Sequence, residues 1–266
     1  MSRLLSADFA KLKKNKFFWI CIIGMFLFGI FMTGMDHIAM ISDGYVPHIT
    51  NVLFVYAITV ALLIPAFTGL FIGTEYSDGT LRNKLIIGHT RRNIYLSNLI
   101  TCSAAGILFC IPYIIGSLMI GIPLSGIEDG TLKGIVILIL LSFLMATAFN
   151  ALCTITGLLC QSKAMTVVIN ILAACFLIVM SIYVLSKLSQ PETYSGVSLD
   201  TATGKVSVEE EIDNPDYLEG TEREIYQFFN DFLPTGQAVN ISQAGGASGR
   251  PELLAAYSAG IIIVST

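Results

Sequence analysis

Five long apolar runs constrain the fold of this chain more than any other feature of its sequence. They occupy residues 17–35, 52–72, 94–122, 132–159 and 165–185. A helix of about 20 residues crosses the ~30 Å hydrocarbon core of a bilayer, so each run is long enough to span it. Only 13% of the residues are charged, whereas soluble domains carry about 25%. We therefore predict an all-α polytopic membrane protein.

A sixth apolar run begins near Leu253 and is still apolar at Thr266. It is shorter than the ~20 residues that a complete span needs, so we expect the natural protein to continue beyond this sequence. The prediction is therefore six transmembrane helices within a single domain over residues 1–266. Residues 2–16 combine apolar and basic positions, which is typical of an interfacial helix on the inner leaflet or of a basic topological anchor alone.

Basic residues are concentrated in the connections on one side of the predicted spans, which by the positive-inside rule is the cytoplasmic side. Those residues are Arg3, Lys11, Lys13, Lys14, Lys16, Arg82, Lys84, Arg91, Arg92 and Lys163. Of the 19 acidic residues, only Asp8, Glu75 and Asp78 lie on that side. The prediction is a multi-pass protein of the bacterial cytoplasmic membrane with its N-terminus in the cytoplasm.

The connection at 186–252 is predicted to be a large extracellular loop. Two stretches of alternating residues, 197–199 and 206–208, flank a turn at 202–204 and indicate a β-hairpin. Without a cysteine in this loop, we expect no disulfide to support it.

A short amphipathic helix is predicted near the end of the same loop, over residues 221–232. Thr221 and Glu224 have the spacing of a capping box, and Pro234 is expected to end the helix. Its apolar positions recur at helical spacing and are Ile225, Phe228, Phe229 and Phe232. Such a stripe predicts a helix that lies against the bilayer or the spans.

The interiors of the predicted spans contain no ionisable side chains, and all three histidines fall outside them. Ion-coupled transporters usually keep such groups at depth, so energy for transport must come from elsewhere. The neutral polar residues in the spans are candidates for a translocation path, and they are Thr101, Asn150, Thr154 and Asn170. The alternative is that they form hydrogen bonds between helices, which average about 0.6 kcal/mol in membranes.

The cytoplasmic loop at 74–90 contains the pattern of a short amphipathic helix. Residues 79–87 can form two turns, with Gly88 beyond the C-terminal end, and Thr90 can cap the third span. Leu81, Leu85 and Ile86 lie broadly on one side, opposite Arg82. Glu75 is expected to bond free backbone N–H groups of this helix.

Two motifs of this loop carry a family resemblance. Glu75-x-x-x-Gly79-Thr80-Leu81 follows the second span, and Thr90-Arg91-Arg92 precedes the third. With the six-span layout, they resemble the ABC-2 type permease family, and the chain is similar in size and layout to permeases of lantibiotic-immunity and peptide-export systems. The stretch Phe232-Leu233-Pro234-Thr235-Gly236 is a weaker point of similarity.

The resemblance implies that the loop at 74–90 is a coupling helix that docks on a separate ATPase subunit. The residues implied in coupling are Glu75, Gly79, Thr80, Leu81, Leu85, Arg91 and Arg92. It also implies that two permeases, identical or paralogous, pair with two ATPases that hold ATP and magnesium. The sequence has no GxxxxGK[ST] phosphate loop of its own. No nucleic-acid partner, metal site or cofactor on this chain is expected.

Three functions remain open at this point. The first is the permease subunit of an ATP-driven exporter for a peptide, a drug or a lipid-like substrate, without catalytic residues of its own. The second is a membrane sensor or anchor whose extracellular loop binds a ligand. An intramembrane enzyme is the third, and the absence of ionisable groups in the predicted spans argues against it.

Overall fold

The computed structural model describes residues 1–126, 132–160, 162–199, 206–243 and 250–266. Most of these residues are helical, and they include one β-hairpin. In chain order the elements are α1 (Ser2–Lys14), α2 (Lys16–Ser42), α3 (Thr50–Leu53), α4 (Tyr56–Ser77), α5 (Thr80–Ile86), α6 (Arg91–Ser125), α7 (Leu132–Leu159), α8 (Lys163–Leu188), β1 (Thr193–Leu199), β2 (Val206–Asp213), α9 (Gly220–Phe232), α10 (Pro234–Ser242) and α11 (Pro251–Ser265).

Five helical segments are long and apolar enough to cross a membrane: α2, α3 with α4, α6, α7 and α8. The five predicted spans are thereby confirmed as helices. Helix α2 is longer than predicted and continues through Asp36 and His37 to Ser42, shortly before Gly44, which has a φ of 78°. His37 therefore lies on this helix beyond the predicted span at 17–35, and the position of the histidines outside the membrane stays a prediction. Helix α11 is a shorter apolar helix, so the sixth span stays a prediction.

Helix α4 lies at the centre of the bundle and is the most buried of the five candidate spans. The ring of Phe67 contacts those of Phe71 and Phe109 at centroid distances of 5.6 and 5.3 Å. At Gly73 a Cβ would lie 2.9 Å from the Cα of Lys163, so α4 and α8 are in close contact there. Small residues are what permit such an approach between helices.

Helix α1 is attached to the bundle, and its predicted position on the inner leaflet stays a prediction. Leu4 and Leu12 are buried, and so is Asp8, with 2% of its surface exposed. Asn15 ends α1 and caps α2, since its side chain accepts hydrogen bonds from the backbone N–H of Phe17 and Phe18. This junction fixes the direction in which α1 leaves the first span.

The predicted hairpin is confirmed: β1 and β2 are antiparallel, with Val197 opposite Val208 and Leu199 opposite Val206. Its predicted turn at 202–204 lies outside the described residues. The predicted amphipathic helix is confirmed as α9, which packs against α8 and α11. The capping box predicted for this helix is wrong, because the helix begins one residue earlier, at Gly220, and has no side-chain cap.

Helix α10 lies within the connection at 186–252 and is not among the elements predicted there; the extracellular position of this connection stays a prediction. As predicted, α9 ends just before Pro234, at Phe232, and Pro234 then occupies the first turn of α10, where its missing N–H costs nothing. The helix packs against α4, α7 and α8 inside the bundle. Its polar side chains are satisfied there: Thr235 hydrogen-bonds Ser181 at 2.9 Å, and Gln237 accepts a 2.6 Å hydrogen bond from Ser258.

Candidate functional site

The candidate site lies where α1 and α5 meet the end of α4 and the first turns of α6, which we call the basic end of the bundle. Helix α5 follows Gly79, whose φ of 68° favours glycine, and Gly88 follows the helix with a φ of 96°. Thr90 caps α6 by accepting a hydrogen bond from the N–H of Asn93 at 3.3 Å. The predicted short helix and the predicted cap are both confirmed.

Four charged residues form a buried group at this end, which we call the charge cluster: Asp8, Lys11, Glu75 and Lys84. The Nζ of Lys84 lies 2.8 Å from Oδ1 of Asp8 and 2.6 Å from Oε1 of Glu75. The Nζ of Lys11 lies 3.4 Å from the same Glu75 oxygen. Asp8 and Glu75 are only 2% and 1% exposed. Two positive charges balance two negative charges, which burial of carboxylates requires.

Each carboxylate of the charge cluster also accepts a hydrogen bond from α6. The hydroxyl of Ser97 donates to Oδ2 of Asp8 at 2.5 Å, and the Nδ2 of Asn98 donates to Oε2 of Glu75 at 3.2 Å. Lys11 donates to the carbonyl of Phe71 at 3.0 Å. The charge cluster therefore joins four helices, α1, α4, α5 and α6, at one point.

The predicted role of Glu75 is wrong in its chemistry. Its side chain does not bond the backbone N–H groups of α5, because it points into the bundle, where Lys84, Lys11 and Asn98 are its partners. Its backbone carbonyl instead accepts a hydrogen bond from the hydroxyl of Thr80 at 3.1 Å. Because Glu75 is buried, it cannot itself contact a partner protein and can act only through α5 and α6.

The two lysines of the charge cluster have opposite pKa shifts. Burial lowers the pKa of Lys11 below its ordinary value, and the nearby Glu75 only partly offsets this. Burial also acts to lower the pKa of Lys84, but its ion pairs with Glu75 and Asp8 outweigh burial and raise it. Lys84 is therefore the cation that the carboxylates hold more firmly.

Three of the remaining residues implied in coupling line a cavity of about 270 Å³ between α5 and the span ends. It is lined by Leu81, Leu85 and Arg91, together with Tyr76, Ile94 and Leu158. Arg92 is exposed at the start of α6. Leu81 and Leu85 thus face the bundle, and the expectation that Ile86 lies with them is wrong.

The opposite side of α5 faces outward, and we call it the exposed face of α5: Arg82, Asn83, Ile86 and the adjoining Ile87. Ile86 and Ile87 are 73% and 76% exposed. Two adjacent isoleucines in this position leave apolar surface outside the spans. Large exposed apolar side chains that neighbour charged ones are typical of a contact with another protein or with a membrane.

The residues predicted for a translocation path are buried and hydrogen-bonded within the bundle. Asn150 accepts a hydrogen bond from Thr68 at 2.7 Å, and Thr101 and Thr154 donate to carbonyls one turn earlier on their own helices. Asn170 accepts a hydrogen bond from Thr156 and donates to the carbonyl of Cys153. The contacts of Asn150 and Asn170 agree with the alternative of hydrogen bonding between helices, whereas those of Thr101 and Thr154 lie within one helix. A role in translocation stays a prediction for all four.

Five residues could not be recognised from the sequence as members of one site: Asp8, Lys11, Lys84, Ser97 and Asn98. One local signal was available, because Asp8 is the single acidic residue of the basic helix α1. An isolated acid among lysines on a mixed helix indicates a partner nearby.

The chain matches a known protein family. A family model described as ABC-2 family transporter protein matches residues 4–181, which include most of α1, all of α5, the first four candidate spans and most of the fifth. Comparisons with curated proteins and with solved structures find no match. The matched segment contains the whole charge cluster and both motifs of the loop at 74–90. The chain therefore belongs to the ABC-2 transporter family and is a multi-pass membrane component of an ABC transporter.

Proposed function

We propose that this chain is the permease subunit of an ATP-driven ABC exporter and that the exposed face of α5 docks on a separate ATPase subunit. The observation that supports this most directly is the outward position of Ile86 and Ile87, on a helix whose other side is fixed to the bundle by the charge cluster. A partner protein would cover that apolar surface. ATP and magnesium would be held by the partner, and the permease would work as a pair.

The residues that we propose to touch the ATPase differ from those that the sequence implied. Leu81 and Leu85 line the cavity behind α5, so they support the helix rather than meet the partner. Glu75, Gly79 and Thr80 set its position and its start. Arg91 and Arg92 remain available beside it as basic residues at the start of α6.

The proposed substrate is still a peptide, a drug or a lipid-like molecule. The permease would move it outward across the bacterial cell membrane. The alternative of a ligand-sensing anchor is tested by the same experiment, because such a protein would not need to pair with an ATPase.

The test is co-expression with a candidate ABC ATPase from the same genome, followed by purification through a tag on the permease. We expect the ATPase to co-purify with the wild type, and an Ile86→Glu, Ile87→Glu double variant to lose it at least tenfold. A charged side chain at the centre of a protein contact loses its hydration, and this weakens binding.

Leu159→Glu is the matched control, because Leu159 is 74% exposed at the same end of the bundle and lies outside α5. Membrane insertion of all variants is measured separately. If the double variant inserts and still binds the ATPase as well as the wild type does, α5 is not the docking helix. If the wild type binds no ATPase, the permease function itself is contradicted.

A further inference from the structure

Lys84 is the one residue of α5 with its charge inside the bundle, and two carboxylates from different helices share it. Its Nζ contacts Asp8 on α1 and Glu75 on α4, at 2.8 and 2.6 Å. Neither carboxylate can turn to water, because both are almost fully buried. Any displacement of α5 must therefore move these carboxylates or break two ion pairs in a poorly solvated place, which is costly.

Both carboxylates are bound in turn by consecutive residues of α6. Ser97 donates to Asp8, and Asn98 donates to Glu75. The side chains of Ser97 and Asn98 are themselves fully buried, so they are held in place by the surrounding helices. Two parallel connections therefore run from Lys84 to the same turn of α6, one through α1 and one through α4.

Helix α6 is suited to carry a displacement to the other end of the bundle. It has 35 residues, which corresponds to about 52 Å of helix. It packs closely on α2, because a Cβ on Gly116 would lie 2.5 Å from the carbonyl of Phe26. Further along, Thr33 of α2 hydrogen-bonds Ser117 of α6 at 2.8 Å. These contacts make α2 and α6 one packed unit.

We propose that Lys84 is a positioning residue that transmits movement of the docking helix α5 to α6, through Asp8 with Ser97 and through Glu75 with Asn98. This inference rests on the proposed function, since α5 moves only if an ATPase binds it. It assigns the role of transmission to the buried side of α5, whereas docking belongs to the exposed face.

The test uses the complex of the full chain with its ATPase in lipid nanodiscs. Hydrogen exchange is measured over residues 91–101 of α6, with and without ATP and vanadate. In the wild type we expect nucleotide trapping to change this exchange. In Lys84→Met we expect the ATPase still to co-purify, but the change in α6 to be lost, together with nucleotide-dependent transport. Lys84→Arg should restore both, because arginine can bind both carboxylates.

A second variant protects the test against misfolding of Lys84→Met. Ser97→Ala with Asn98→Ala leaves every charge paired and removes only the hydrogen bonds to α6. We expect it to pair with the ATPase and to lose the exchange response as Lys84→Met does. Lys14→Met, at an exposed lysine of α1, is the control and should respond like the wild type.

The outcomes separate the two proposals. If the wild type fails to bind the ATPase, the proposed function fails first. If the wild type binds it but α6 does not respond, or if both variants respond as the wild type does, transmission through Lys84 is overturned. Loss of ATPase binding in a correctly inserted Lys84→Met would also overturn it, because Lys84 would then belong to the docking surface.

Discussion

Lys84 and Lys11 contact the same oxygen of Glu75 but differ in how much of the fold depends on them. The side chain of Lys84 is 13% exposed and has two carboxylate partners, whereas that of Lys11 is 32% exposed and has one, at a longer distance. Burial lowers the pKa of Lys11, while the ion pairs of Lys84 raise its pKa. As the pH rises, the contributions of the two lysines to the free energy of unfolding therefore change in opposite directions.

We expect Lys84→Met to lower the free energy of unfolding by about 3–5 kcal/mol, because it leaves a buried carboxylate without its cation. Lys11→Met should cost under about 1 kcal/mol, as is usual for a partly exposed pair. The contribution of Lys84 should persist at neutral pH and disappear only as the pH rises through its raised pKa. Unfolding in mixed micelles measures both variants, and equal losses would contradict this ranking.

The members of the charge cluster could not be predicted together from the sequence. Lys84 is 76 residues from Asp8, and Ser97 is 89 residues from it. No periodicity or motif relates positions so far apart; only the packing of α1 across the ends of α4 and α6 brings them together. Glu75 was identified through the motif of its loop, but its partners depend on that packing.

Among the elements, the junction of α9 and α10 is the most tightly constrained corner of the structure. A Cβ on Gly236 would lie 2.1 Å from the backbone carbonyl of Asn230. Backbone atoms cannot move aside as a flexible side chain can. The junction therefore needs glycine at 236 so that α10 can turn back into the bundle beside α9.

Gly236→Ala is expected to destabilise the protein by about 1–3 kcal/mol, the usual cost of overpacking. Gly260→Ala in α11 is the matched control, since a Cβ there meets nothing within 4 Å, and alanine favours a helix by about 1 kcal/mol over glycine. Thermal unfolding in detergent compares the two. A Gly236→Ala protein as stable as the control would show that the corner can relax.

The elements were predictable where one local signal determined them. Apolar runs identified the five candidate spans, and alternation identified β1 and β2. Helix α10 was not predictable in this way, because Pro234, Thr235 and Gln237 have the composition of a loop. Their burial depends on Ser181 and Ser258, which belong to α8 and α11 and supply hydrogen bonds that the local sequence does not reveal.

At the scale of the whole molecule, the two ends of the bundle differ in charge. Lysines and arginines gather around α1, α5 and the start of α6, while most acids lie near the hairpin and α9. Basic residues remain on the cytoplasmic side during insertion. By this rule we propose that α5 faces the cytoplasm and α9 faces outward.

Cysteines placed at exposed positions test this orientation on intact cells. Glu222→Cys on α9 should react with a membrane-impermeant thiol reagent, and Asn83→Cys on α5 should react only after permeabilisation. The unmodified chain gives the background from its own cysteines, of which Cys175 is exposed in the structure. Labelling of Asn83→Cys in intact cells would reverse the assigned orientation.

The division of α5 into two sides has a consequence for how such a permease acquires partners over evolution. Seven residues make up the helix; Lys84, Leu81 and Leu85 serve the bundle, while Arg82, Asn83 and Ile86 lie on the outer side. Substitutions on the outer side need not disturb folding. With the docking proposed above, a few surface replacements would be enough to change which ATPase the permease binds, and an engineer would exchange those residues to pair it with a foreign motor.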